Sequence, residues 1–341
     1  MSTDGGAETG RPATLGDVAA ATGVAISTVS RALNNPGRVN PATRLRIEKA
    51  AAELHYAPNS HARALTSGRT QTLAVVVSDV TNPFYFGVIQ GTQQQSRASG
   101  YTQLLIDAEE SGETEDQLLR RLRRSYDGAI LAASRISDRR LADLAAAIPL
   151  VVLNRDLPGV PCVVIDSPTG VEQAVEHLVS LGHRRIAYAS GPATSWSNEG
   201  RWRALVRAGS RHGITPVRVG PFHSRRTAGA AAADAVLNAG VTACIAFNDL
   251  LAIGMLMRLR ERGVRVPGEL SIVGCDDIFG ADFCDPPLTT LTAPIERAGR
   301  AAVAMLLARL TDPALPTGRL VLPTHLTVRA STGTAGDTAS S

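Results

Sequence analysis

The spacing of apolar positions changes once along this chain, near residue 70. Before that point it is helical. Val18, Ala19, Val24 and Val29 supply contacts between two short helices, Ala19 being small where the helices cross. Ile47, Ala51 and Leu54 recur at i, i+4 and i+7, one stripe on a third helix. Polar punctuation sets the ends. Thr14-x-x-Asp17 is a capping box for the first helix, and Gly23 is the residue that best tolerates the left-handed stop after Thr22. Asn40-Pro41 is an N-cap with proline at the first helical position. Beyond Gly68, short apolar runs alternate with helical stretches: Leu73–Val77, Gln103–Ile106, Gly128–Leu131, Leu150–Leu153, Ile186–Ala189, Ala243–Phe247 and Ser271–Gly274. Buried parallel strands with helices on both faces read this way. About 270 residues exceed what one such sheet needs, so two α/β lobes are expected. Between the two regions, Pro58–Gly68 reads as a helix of about two turns capped by Asn59. Such a helix is marginal alone in water, which suits a switch element and equally a plain linker.

A second helix starting near Ile26 presents Ile26, Ser27, Thr28 and Arg31 on one face. That is the geometry of a helix-turn-helix whose second helix enters the major groove. Spacing alone also admits an αα-hairpin with no such role. From Arg11 to Arg69 there are eight Lys and Arg against three Asp and Glu, while the whole chain carries a formal charge of only +4. The basic excess therefore belongs to the helical head, as a phosphate-neutralising surface requires, although a solvated helix face has the same signature.

In open parallel sheets, ligands sit outside the carboxyl ends of the strands. Here those ends carry Ser78-Asp79, Asp107, Asn154-Arg155, Asn248-Asp249 and Asp276-Asp277. Repeated polar residues there suggest a cleft for a hydroxyl-rich small molecule. Asn82 and Asn248 also precede helices, so capping explains them as well. Trp196 fits either stacking on a sugar ring or packing a loop.

Other chemistry is sparse. Cys162, Cys244, Cys275 and Cys284 form no CxxC pair and read as reduced, structural thiols. The histidines lack zinc spacing, and no metal or cofactor is expected. GxGxxG after the first strand, a Walker lysine, GxSxG and HExxH are all missing, so no catalytic residues and no enzyme are expected. An exported solute-binding protein would share the two lobes but would need an export signal and would have no use for residues 14–68. No such signal and no membrane-spanning run is read from the sequence, so a cytoplasmic location is expected. A DNA-binding regulator without any effector is the rival that only the cleft residues oppose.

Several segments carry a resemblance. Thr14–Asn34, Tyr56-Ala-Pro-Asn59, Ala62-Arg63-x-Leu65 and Asn82-Pro-Phe84 resemble the lactose/galactose repressor (LacI/GalR) family of bacterial transcription regulators. So do Gly182–Ile186, Val273–Asp277, Pro287–Thr290 and Val328–Ser331, in one order over about residues 13–332. The resemblance implies an all-α helix-turn-helix head plus an α/β, periplasmic-binding-protein-like core of two doubly wound parallel-sheet lobes. It implies a disordered extension over 1–12, a DNA-binding domain over 13–57, a hinge over 58–69, a core over 70–331 and a disordered tail over 332–341. Within the core it implies lobe 1 at about 70–166 and 295–319, and lobe 2 at about 167–294 and 320–331.

For function, it implies a dimeric, sequence-specific regulator, a repressor of a palindromic operator, controlled by a sugar or sugar derivative between the lobes. On the nucleic acid it implies base reading by Ile26, Ser27 and Arg31. It further implies phosphate-contacting or capping positions at Thr14, Leu15, Thr28, Ser30, Asn34, Asn40 and Thr43. In the hinge it implies a minor-groove wedge at Leu65, with Ala62 and Asn59 beside it. On the effector it implies Arg201, Asn248 and Asp276 foremost, then Asp79, Phe84, Arg155 and Trp196. The tail has no leucine heptads, so a dimer rather than a tetramer is expected. Ala25 replaces a capping serine, a loss worth on the order of 1 kcal/mol. Cys275 and Ala293 depart from the family pattern and are expected to alter the pocket wall.

Overall fold

The computed structural model describes residues 11, 13–34, 36–56 and 68–336. The chain divides into two compact units, one ending at Thr70 and one beginning at Gln71. Asn59, Ala62 and Leu65 of the expected hinge lie outside the described residues.

The first unit holds α1 (Leu15–Thr22), α2 (Ile26–Asn34), a 3-10 turn at Pro36–Arg38 and α3 (Pro41–Glu53). The capping box is formed: the Thr14 backbone N–H donates to the Asp17 carboxylate at 2.7 Å, and the Asp17 N–H donates to the Thr14 hydroxyl at 3.3 Å. The Thr14 hydroxyl, which also donates to the Asp17 carboxylate at 2.7 Å, the Thr14 N–H and Arg11 at 2.8 Å together hold the Asp17 carboxyl down at about 2. Gly23 ends α1 at φ 66°. The Ala25 carbonyl accepts from Thr28 and Val29 to start α2, but its methyl adds no side-chain cap. Val18, Ala19, Val29, Ala32, Ile47, Ala50 and Ala51 form the core. Leu54 does not join it. The helix stops at Glu53, Leu54 caps it and is exposed, and Ala50 completes the buried stripe instead.

The second unit is two six-stranded α/β lobes. Lobe 1 runs β1 (Thr72–Val77), α4 (Phe84–Ala98), β2 (Thr102–Asp107), α5 (Gly112–Arg121), β3 (Gly128–Ala132), α6 (Asp138–Ala147), β4 (Leu150–Leu153) and β5 (Cys162–Asp166). Lobe 2 follows as α7 (Ser167–Ser180), β6 (Arg185–Ala189), α8 (Trp196–His212), β7 (Thr215–Val219), α9 (Gly229–Asn238), β8 (Ala243–Ala246), α10 (Asp249–Glu261), β9 (Ser271–Asp276) and β10 (Thr289–Thr292). The chain returns to lobe 1 for α11 (Ile295–Thr311) and β11 (Arg319–Pro323), then to lobe 2 for β12 (His325–Thr327). Strand orders are β11-β5-β4-β3-β1-β2 and β12-β10-β9-β8-β6-β7. Both sheets are doubly wound and parallel except for β12, an antiparallel edge on β10.

Two expectations are corrected here. Leu320–Pro323 belong to lobe 1, because β11 pairs in parallel with β5 and buries Leu322. Thr324 then ties the crossings together, its hydroxyl donating to the Asp166 carbonyl at 2.8 Å. Residues 332–336 are not a loose tail. Thr332 meets the His177 ring at 2.9 Å, the Gly333 carbonyl meets the buried His183 ring at 3.0 Å, and Ala335 donates to the Leu181 carbonyl.

Candidate functional site

In the head, α2 has two unlike faces. Val29 and Ala32 are buried against α1 and α3, which leaves Ile26, Ser27 and Arg31 outward. Ile26 is 55 % exposed, an unusual position for a β-branched apolar residue that only packs a core. Thr28 and Ser30 flank this face, half-buried. Thr14 and Asn40 are engaged as helix caps, Asn40 accepting from the Ala42 N–H at 2.9 Å, and Leu15 packs against the core. Thr43 is half-buried on α3, and Asn34 is the last residue of α2. Among the described residues Arg31, Arg38 and Arg46 are exposed without an ion pair, whereas Arg44 pairs with Glu48 at 2.8 Å. Unpaired cations beside an outward helix face suit a polyanion.

In the core unit, the carboxyl ends of strands from both lobes meet at a narrow cleft of about 30 Å³. Arg201, on the second turn of α8, is 3 % exposed. It donates to the Phe247 carbonyl and to the Asp276 carboxylate at 3.1 Å, and its guanidinium lies 5.1 Å over the Phe247 ring. Burial pushes the Asp276 carboxyl up to about 6 against the opposing pull of Arg201. Asp276 and Asp277 both have positive φ, 117° and 56°. That backbone is costly for a non-glycine residue and persists only where the surroundings enforce it. Here Thr292 and Arg329 each donate to Asp277 at 2.8 Å. The strain turns Asp276 into the cleft. Asn248 caps α10 through the Leu251 N–H at 3.0 Å, and its amide donates to the Ser224 carbonyl at 3.2 Å. It is both a cap and a lining residue.

Lobe 1 brings Phe84 from the start of α4, stacked edge-on with Tyr85 at 5.1 Å. Burial pushes the Tyr85 hydroxyl up to about 12. The lobes are also latched. Arg225 of lobe 2 donates to Asp79 of lobe 1 at 3.2 Å and lies 3.9 Å from Glu110, which also accepts from the Ser224 hydroxyl.

The structure therefore gathers four of the expected effector residues, Phe84, Arg201, Asn248 and Asp276, around one cleft. The other three do not line it. Asp79 is taken by Thr81 and by the latch. Arg155 is a strut, donating to the carbonyls of Ser134 and Ile136 and to Asp138. Trp196 packs on the lobe-1 core and is not among the residues lining the cleft. Cys275 and Ala293 are also not in the wall. Cys275 is fully buried in the lobe-2 core, and Ala293 packs on lobe 1.

Tyr85, Arg135, Asn154, Ser195, Ser197 and Ser224 line the cleft and were not singled out as effector residues. Arg135 sits just beyond β3, where the strand-end rule could have found it, and Asn154, just beyond β4, was named by that rule only as part of a polar strand end. Ser195 and Ser224 come from loops and Ser197 from the first turn of α8, and no periodic pattern marks them. Among the described residues no helix is long and apolar enough to cross a membrane, and no cluster of His, Cys, Asp and Glu could hold a metal ion.

Comparison with known proteins follows this division. Residues 14–59 match the profile of the bacterial regulatory proteins of the lacI family, and residues 175–332 match a periplasmic binding protein-like domain. The chain is 34% identical over 331 residues to the HTH-type transcriptional repressor CytR of Escherichia coli K12, covering 94% of this chain and 96% of the relative. The Lac repressor dimer bound to operator and the anti-inducer ONPF superimposes with a TM-score of 0.85 at 28% identity, covering 95% of this chain and 100% of that one. A complex of the transcriptional regulator CelR with cellobiose gives a TM-score of 0.70 at 33% identity, covering 94% and 99%. The chain belongs to the lacI family of bacterial regulatory proteins, DNA-binding transcriptional regulators and not enzymes.

Proposed function

We propose that this regulator is a repressor that binds a palindromic operator as a homodimer and answers to a sugar or sugar derivative held between its lobes. The observation that carries the reading is the cleft, where Arg201, Asp276 and Asn248 of lobe 2 face Phe84 and Asn154 of lobe 1. An arginine–carboxylate pair with amides beside it offers the mixed donors and acceptors that hydroxyl groups need. The cellobiose complex of CelR and the operator-bound Lac repressor dimer support the same assignment. In this reading Ile26, Ser27 and Arg31 read bases, Arg31 taking guanine O6 and N7, while Thr14, Leu15, Thr28, Ser30, Asn34, Asn40 and Thr43 line the phosphates. Two-fold symmetry of the dimer matches the palindrome. The site of action is the cytoplasm, on the nucleoid when operator is bound. Effector binding shifts the balance of lobe arrangements only by its difference in affinity for them, and DNA affinity follows through the same coupling.

The test is selection from a random duplex pool, followed by binding of the selected DNA with and without each sugar of a panel. The expected result is a palindrome whose affinity changes with one compound, and relaxed preference at one position of each half-site for Arg31→Ala. A palindrome indifferent to every compound overturns the effector role, and failure to select any sequence overturns the operator reading.

A further inference from the structure

Arg135 stands in the cleft wall of lobe 1, just beyond β3, with its side chain only 6% exposed. Among the described residues no oxygen accepts a hydrogen bond from its guanidinium, and its Nε is fully buried without a partner. Its nearest carboxylate, Glu110, is 3.9 Å away. Glu110 is divided, accepting from the Ser224 hydroxyl and lying equally far from Arg225. It therefore offsets the charge of Arg135 but does not satisfy its donors. The neighbouring guanidiniums Arg155 and Arg201 share the buried, unpartnered Nε and differ at their terminal nitrogens. Arg155 meets two carbonyls and Asp138, and Arg201 meets the Phe247 carbonyl and Asp276. Beside Arg135, Asn154 is held at φ 58°, and its buried Oδ1 has no hydrogen-bond partner.

A buried guanidinium is stable only when its donors meet acceptors. Its planar fork suits the paired oxygens of a carboxylate or phosphate, and such charge-assisted bonds are about twice as strong as neutral ones. We infer that the effector is a hydroxylated small molecule with one anionic group, carboxylate or phosphate, which Arg135 holds while Asn154 accepts from an adjacent hydroxyl. Arg135 is thus the specificity-determining residue of lobe 1, while Arg201 and Asp276 take the neutral part of the molecule from lobe 2. The inference rests on the cleft being the effector site.

Calorimetry on the full chain tests it with neutral hexoses, the corresponding uronates and the corresponding hexose 6-phosphates. At least about tenfold tighter binding of one anionic series over its neutral parent is expected, and which series wins names the anion. Arg135→Met should abolish that preference and Arg135→Lys should retain part of it, with operator binding of each variant reporting that it is folded. Equal binding of neutral and anionic compounds, or a preference that survives Arg135→Met, overturns the inference and leaves the sugar cleft standing. Binding of none of the compounds overturns the sugar-cleft reading together with the inference.

Discussion

Asp249 opens α10 directly behind the cleft and is fully buried, its carboxylate accepting from the Thr290 hydroxyl at 2.6 Å and the Ile278 N–H at 2.9 Å. Burial, reinforced by the nearby Asp276 charge, pushes its carboxyl up to about 7 from 3.8. Between about pH 4 and 7 the folded chain therefore holds a proton there that the unfolded chain has released. Protons bound preferentially by the folded state stabilise it, so this contribution is full below pH 4 and is lost as pH rises through 7. Asp276, raised to about 6, acts in the same direction. Together these two carboxyls should remove stability on the order of a few kcal/mol from pH 5 to pH 8, seen as a falling contribution to the melting temperature. Asp249→Asn, permanently neutral, should flatten that fall in thermal melts across the range. An unchanged slope would show that Asp249 is ionised in the folded state throughout.

At the scale of elements, α4 and α11 cross with their backbones almost in contact. A Cβ on Gly91 would lie 2.2 Å from the Glu296 carbonyl oxygen, and one on Gly299 would lie 2.8 Å from that of Val88. Neither neighbour is a side chain that can swing away. This crossing seats α4, whose first residue is Phe84 of the cleft, and so fixes one wall of the site. Gly91→Ala should destabilise the chain by about 1–3 kcal/mol, the usual cost of overpacking. Gly268→Ala, which meets only Arg265 Cβ at 3.6 Å, should be nearly neutral. Urea denaturation of the two variants checks the contrast, and equal midpoints would mean the helices separate freely. A glycine inside a helix is by itself a weak spot. Only the partner helix reveals why glycine stands there.

For the core unit as a whole, the Arg225 latch decides how readily the lobes part. The Asp79 and Glu110 side chains are 9% and 13% exposed, so removing Arg225 leaves two largely buried carboxylates facing lobe 2 with one fewer cation. Half of the Arg225 side chain is in solvent, which limits the effect to about 1–3 kcal/mol against closure. Arg225→Ala should therefore enlarge the radius of gyration in solution scattering and weaken effector binding. Scattering curves that superimpose on the wild type would remove the latch from the mechanism.

Local and periodic features were legible before any tertiary contact was known. The Thr14 box, the Gly23 stop and the Asn40-Pro41 start each depend on hydrogen bonds or backbone preferences within a few residues, and the structure forms each of them. Buried strands such as β1, β4 and β8 announced themselves as apolar runs, because parallel strands covered on both faces must be apolar throughout. The edge strand β7 did not, since half-exposed Thr215–Val219 need carry no pattern. The cleft was half legible. Asn248 and Asp276 stand at strand ends and Arg201 follows from the family resemblance, whereas the choice of Asn154 over Arg155 depends on which neighbour finds carbonyls to bind. The order of residues 332–336 depends on His177 and His183, about 150 positions earlier in the chain. Sequence by itself determined the helical head, the alternating core and the family, because those are written in spacing and local chemistry. Tertiary structure alone decided which polar groups remain unpaired at the cleft, because that depends on partners brought together from both lobes.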